Sequence, residues 1–402
     1  MPGVPGAAPR RVTQRSRLAR WGVAALVLMA EAAAAPEASF TARGYDERIQ
    51  HGIDLIYSLR FPEAERYFGE IARAEPDNPV GYFFLAMVEW WHVLLDLEDR
   101  SHDEPFYARV EKCIGVCDRR LEKDPMDYDA ILFKGGSIGF RGRLRGDRNQ
   151  YLQAATDGLK VLPLLEKSRQ LEPTNRDILF GLGIYNYFAE VMPQRHPVIR
   201  PVMVFLPDGD REQGLEQLRQ AATEGKYTRA EAAYFLSQIH RTFEGDHRAA
   251  LEYLEYLHRR YPDNALFHRY RARSLVEVGR WAEAVALYGD YNERSQRRLT
   301  GYHVHGRLEA LYYLGKHAFY QHRLGAAGDA FAAVDSLGAA TTRERDKSFV
   351  AMANLMLGMT RDLEGKRHQA TERYERVLRL TPNDDARDLA RRLLREPYQG
   401  SP

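Results

Sequence analysis

Cysteine is almost missing from this chain of 402 residues: there are two, Cys113 and Cys117. Two thiols four apart make no CxxC redox pair, and without further cysteine they complete no zinc set. On a helix they share one face and read as small apolar packing residues. Charge of one sign is missing as well. Lys and Arg total 58 against 56 Asp and Glu, a formal net charge of +2, which lacks the basic excess of a dedicated nucleic-acid binder. Nucleic acid is therefore not an expected partner. Catalytic signatures are absent too: there is no H-E-x-x-H, no G-x-S-x-G and no G-x-x-x-x-G-K-[ST]. The glycine-rich stretch Gly135-Gly136-Ser137-Ile138-Gly139 lies in an apolar helical pattern rather than after a strand, so it suits close helix packing better than a phosphate. His303 and His305, with His317 and His322 nearby, have no Cys or carboxylate evidently placed to complete a metal set. No catalytic residue, cofactor or metal is expected.

Long hydrophobic runs are lacking after the first forty residues. The N-terminus itself has an order of its own: Arg10, Arg11, Arg15, Arg17 and Arg20, then the short apolar run Trp21 to Ala30, then small residues from Ala32 to Ala35. A basic segment, a short apolar segment and an A-x-A choice of cleavage points is the pattern of a secretory signal peptide. The apolar run is too short to span a bilayer comfortably. Residues 1–35 are expected as signal peptide and 36–44 as linker, with an exported, soluble mature protein in the periplasm or another extracytoplasmic space.

What the rest of the chain has is punctuation. Pro76, Pro125, Pro173, Pro262 and Pro382 each follow a helix-like run and sit among Asp, Asn or Thr. Proline stops a helix, and the Asp or Asn just after it caps the next. Twelve and eight residues before these prolines stand Ala64 and Phe68, Cys113 and Cys117, Ala250 and Leu254, and Ala370 and Tyr374. A small residue four before a larger apolar one is a helix face pressed on a neighbour. Gly52, Gly315 and Gly358 each precede Ala64, Ala327 and Ala370 by twelve. A glycine inside a helix costs about 1 kcal/mol against alanine and is tolerated where another helix comes close.

These positions resemble the tetratricopeptide repeat, with its L-G, A, aromatic and P signature over 34 residues. The fullest match is Leu357-Gly358, Gly365, Ala370, Tyr374, Val377 and Pro382; Gly52, Ala64, Phe68 and Pro76 follow, then Ala272, Gly279, Trp281, Ala284 and Tyr288. The resemblance implies an all-α, right-handed superhelical solenoid of about seven to eight antiparallel helix pairs over residues 45–395. Repeats are regular at 45–78 and 228–395 and stretched at 79–225, and residues 396–402 are expected as a loose tail. A narrower likeness lies in Gly209-Asp210-Arg211-Glu212-Gln213-Gly214-Leu215. It is similar to the G-D-R-x-x-G-L element of a eukaryotic tetratricopeptide family linked to the mitochondrial outer membrane and inclusion clearance. Asp210 and Gln213 there fit a capping box opening a helix.

Stacked helix pairs form a concave groove, and the first helices of these pairs are unusually aromatic. Trp90, Trp91, Tyr185, Tyr187, Phe235 and Tyr312 are candidate groove residues, with Arg269, Arg273 and Lys316 on groove-facing turns. Aromatics and basic groups together suit a partner peptide or protein; the alternative is a glycan or small molecule held on the aromatics. A segment from Pro193 to Asp210 carries four prolines yet also Val198, Ile199, Val202, Met203, Val204, Phe205 and Leu206. It reads either as a plug over the groove or as a lid that contacts a partner or a membrane surface, with Phe205 as a candidate contact.

Overall fold

The computed structural model describes residues 46–380 and 384–400. The expected signal peptide, linker and turn residues 381–383 lie outside the described residues. Helices come in consecutive pairs: α1 (Asp46–Tyr57) with α2 (Phe61–Ala74), α3 (Pro79–Leu95) with α4 (Asp103–Lys123), α5 (Tyr128–Asp147) with α6 (Tyr151–Leu171). Next come α7 (Ile178–Arg195), the four-residue α8 (Arg200–Met203) and α9 (Arg211–Glu224), where α7 pairs with α9 across the proline segment. The pairs α10 (Arg229–Ile239) and α11 (His247–Arg260), α12 (Ala265–Glu277) and α13 (Trp281–Gln296), α14 (Val304–Tyr320) and α15 (Leu324–Leu337), and α16 (Glu344–Leu363) and α17 (Arg367–Leu380) complete eight, and α18 (Asp384–Arg395) caps the end. Each of these pairs packs on the next. The fold is thus an all-α, tetratricopeptide-like array of antiparallel helix pairs. Among the described residues no helix is long and apolar enough to cross a membrane.

The local chemistry agrees with the punctuation. The side chains of Asn78, Asp127, Asp210 and Asn264 each accept a backbone N–H at the start of a helix, which satisfies donors that the helix itself leaves open. A Cβ on Gly52 would come within 2.3 Å of the Phe68 ring, and one on Gly358 within 2.4 Å of the Tyr374 ring. The aromatic of each second helix therefore seats on bare backbone of the first, which is why glycine stands there. Cys113 and Cys117 are fully buried. A hydrogen bond with Cys113 and burial together raise the Cys117 thiol pKa, so it stays protonated. Pro163 and Pro193 lie inside α6 and α7, which continue through them. The tail is not loose throughout: Tyr398 packs 6.0 Å from Phe319, and its N–H donates to Asp362 Oδ2 at 2.9 Å.

A repeat array joins neighbours only, and here the chain also meets itself. The Tyr57 ring stacks on Tyr261 at 5.1 Å, and Trp91 meets Phe267 edge-on at 5.5 Å. Asp54 accepts from Arg260 Nη2 at 2.7 Å and from the Tyr261 hydroxyl at 2.9 Å, while Asn264 Nδ2 donates to the Tyr57 carbonyl at 2.8 Å. Further along, Arg343 grips Asp96 with two bonds of 2.7 and 2.6 Å. The first two pairs are thereby curled against α10 to α12 and the start of α16, and one large apolar core runs through both.

Candidate functional site

Curling encloses a cavity of about 620 Å³, inside the range of small-molecule sites. Its walls come from α1, α3, α5, α6, α7 and α10. Phe83, Phe84, Met87 and Trp91 line it from α3, Phe133, Ile138 and Phe140 from α5, Phe180, Ile184 and Phe188 from α7, and Phe235 and Ile239 from α10. It is not sealed, since Gly139 in its wall is exposed. The proline segment covers one part of it: His196, Ile199, Met203 and Leu206 face the cavity. Two contacts hold this cover in place. The Tyr185 hydroxyl donates to the Pro207 carbonyl at 2.6 Å, and the His196 ring stacks on Tyr151 at 3.9 Å. The outer side of the same segment is bare, with Val198, Val204 and Phe205 exposed to 54%, 80% and 78%. Four prolines rule out a long helix here, so the segment turns apolar groups both inward and outward. It acts as cover on one side and presents an exposed patch on the other.

Polar groups in the lining are few, and most are spent on the wall itself. Asp157 accepts from Arg141 and Arg145, both at 2.6 Å. Asp177 Oδ1 accepts the backbone N–H groups of Lys226, Tyr227 and Thr228 at 2.9 Å each. What remains is a small group at one end. Arg143 reaches Asp147 at 3.1 Å and lies 5.2 Å over the Phe235 ring. Glu231 accepts from the Tyr57 hydroxyl. Burial pushes the Glu231 carboxyl up to about 7, against the Tyr57 hydroxyl, Arg143 and the Trp90 indole N–H, which favour the charged form.

The expected groove residues divide in two. Trp91, Tyr185 and Phe235 do line the cavity, and Phe205 stands on the outer face of the cover. Trp90 is fully buried between Phe106 and Phe140. Tyr187 is fully buried beside Leu215 and Leu218, its hydroxyl bonded to Glu244. Tyr312 packs against Phe331 and Phe349. These three are core, because curling and pair-on-pair packing consume the first-helix faces that an open array would present. With Trp90 and Tyr312 inside, a sugar has no aromatic platform of the expected kind. Lys316 lies 5.9 Å over the Trp281 ring, and Arg269 and Arg273 sit in a separate charged cluster on α12. Glu231, Arg143 and the inward side of the cover were not singled out by sequence. Glu231 alone leaves a trace, as one acid in the otherwise apolar run Ala230 to Ile239.

His303 and His305 lie with rings 5.2 Å apart beside the Asp96–Arg343 pair, and burial, then Arg269, hold His305 down at about 3. Among the described residues no group of three or more His, Cys, Asp or Glu is placed to hold a metal ion.

Fold and site define a tetratricopeptide-like helix-pair protein curled around an apolar cavity with a movable-looking cover of irregular chain. No family model matches the chain, and no curated protein does. Solved structures do overlap it. A human IFIT1 dimer with PPP-AAAA shares 14% identity over 80% of this chain and 69% of its own, at a TM-score of 0.38. The TPR domain of P58(IPK) gives 14% identity over 87% and 98%, at 0.25, and yeast Tom70 gives 9% over 87% and 94%, at 0.26. The helix pairing described above carries the fold class by itself.

Proposed function

We propose that the protein is a non-enzymatic binding protein, exported to the periplasm or another extracytoplasmic space, whose interior holds the apolar chain of a lipid-like ligand. The observation that carries this reading is the apolar lining of the cavity under its proline-rich cover. A partner peptide in the concave groove is the reading that sequence favours, and a helix-pair scaffold suits it. The cavity argues against a peptide as its occupant. Every peptide unit brings an N–H and a C=O that need partners when buried, and the polar groups of this lining are mostly already paired. An acyl chain brings none. Each methylene taken from water contributes about 0.8 kcal/mol, so a chain filling this volume binds without directional help.

The outer face of the cover fits the same reading. Val198, Val204 and Phe205 form an exposed apolar tip, with Arg195 and Arg200 close by in sequence. Such a tip suits peripheral contact with a lipid surface, from which the ligand is taken up. The test is titration with a fluorescent fatty acid of the intact protein and of a variant lacking Val198 to Phe205. Binding should be lost or become fast to exchange in the deletion, with cooperative melting kept. Equal affinity in both proteins would sink the role of the cover. Absence of binding in both, with a stable protein partner recovered from envelope extract, would return the peptide scaffold to first place.

A further inference from the structure

On the side of the array away from the cavity lining, four arginines gather around one phenol and one carboxylate. Arg269 and Arg273 lie one turn apart on α12, Arg345 stands at the start of α16, and Arg241 follows α10. The carboxylate is Glu309 on α14, almost fully buried. It accepts from Arg273 Nε at 2.9 Å, from Arg345 Nη2 at 3.3 Å and from the Tyr288 hydroxyl at 3.2 Å. The phenol is Tyr270. Arg241 lies 4.4 Å and Arg269 5.5 Å from its ring centre. Arg241 hydrogen-bonds a neutral amide, Gln238, at 2.6 Å.

Arg269 is the anomaly. Its side chain is 6% exposed, and its Nε is buried with no hydrogen-bond partner. Four guanidiniums stand against the single carboxylate of Glu309, so three positive charges are in excess within the cluster. An arginine cannot relieve burial by giving up its proton, and a buried charge without a partner is costly to the fold. The neighbours register the excess. Burial opposes ionisation of the Tyr270 phenol, yet Arg269, Arg241, Arg273 and Arg345 outweigh it and its pKa falls below the ordinary value. Arg345 is shifted down by burial, with Arg273 and Arg269 adding to the shift and Glu309 opposing it. The missing element is an anion, and Arg345, 43% exposed, leaves the cluster reachable from solvent.

We infer that this cluster binds a phosphate group, with Arg269, Arg241 and Arg345 as the donors that surround it and Arg273 held back by Glu309. A phosphate suits better than a carboxylate on two counts. Its double charge answers more of the excess, and its several oxygens match planar guanidinium forks arriving from three helices. None of the four arginines lines the apolar cavity, so this site stands or falls independently of the lipid reading. Free phosphate and a phosphate monoester share the chemistry.

The experiment is thermal melting and calorimetric titration of the full chain with inorganic phosphate, against acetate at the same ionic strength. Phosphate should raise the melting temperature saturably and acetate should not. Arg269→Met should weaken phosphate binding at least tenfold, yet melt no lower than the parent without phosphate, because it removes an unpaired buried cation. Arg345→Gln, at an exposed position, should weaken binding several-fold and serves as the test should the first variant not fold. Glycerol phosphate run alongside separates the sources: tighter binding than inorganic phosphate assigns a monoester, weaker binding assigns free phosphate. Equal effects of phosphate and acetate, or unchanged phosphate affinity in both variants, would overturn the inference.

Discussion

Replacing Gly139 by leucine should make the protein more stable and less able to bind. Gly139 lies in the interior of α5 and in the cavity wall, and a Cβ built there meets nothing within 4 Å. Two terms favour the variant. Leucine is a better helix former than glycine, a gain of about 0.8 kcal/mol at an interior position. Its side chain then lies along apolar wall, and covering roughly half of it contributes about another 1 kcal/mol. Together the gain is about 2 kcal/mol, or roughly 4 °C in melting temperature for a chain of this size. The same side chain occupies ligand space, so affinity for a fluorescent fatty acid should fall at least tenfold. Melting curves and direct titration of the parent and Gly139→Leu measure both. A variant that melts lower would mean that the space is not free. A variant that melts higher but binds as the parent would mean that the ligand sits elsewhere.

Gly358→Ala should do the opposite of a change at Gly139, because its methyl would come within 2.4 Å of the Tyr374 ring; a loss of about 1–3 kcal/mol in denaturant melting is expected, and a neutral result would refute the seating of aromatic on glycine. Arg343→Ala removes a partly exposed pair with Asp96 and should cost no more than about 1 kcal/mol. Amides in 97–102 and 340–345 should nevertheless exchange hydrogen faster, whereas unchanged exchange would show that the curl needs no such clasp. Glu231 gives a pH dependence whose sign is fixed. Its folded pKa, about 7, lies above the ordinary 4.5, so the folded chain keeps a proton that the unfolded chain has lost. Stability from this group is full below about pH 4.5 and falls as the pH rises through 7, by up to ~3 kcal/mol. Glu231→Gln should abolish that fall, and urea melts at pH 5 and pH 8 should show the variant gaining on the parent at the higher pH. A constant difference between the two would refute the shifted carboxyl.

The repeat was legible because its determinants are local. Gly52 and Phe68, or Gly358 and Tyr374, are a fixed sixteen residues apart, and a helix pair brings them together whatever the rest of the chain does. Caps at Asn78 and Asn264 are equally local. The curl was not legible, because it depends on meetings such as Tyr57 with Tyr261 and Asp96 with Arg343, for which no spacing rule exists. That gap is why Trp90 and Tyr312 read as groove residues and turned out as core, while Trp91, Tyr185 and Phe235 kept a place at the cavity. The proline segment was conspicuous in sequence from its clash of composition. Which of its apolar residues face inward follows only from where α6 and α7 place its ends.

The central claim is that an apolar chain fills the cavity beneath the cover. A series of saturated fatty acids of increasing length, titrated below their micelle concentrations, tests it most directly. Binding free energy should grow by about 0.8 kcal/mol for each added methylene and then level or reverse once the cavity of about 620 Å³ is full. Affinity that is independent of length, or that rises without a limit across the series, would contradict an enclosed apolar site.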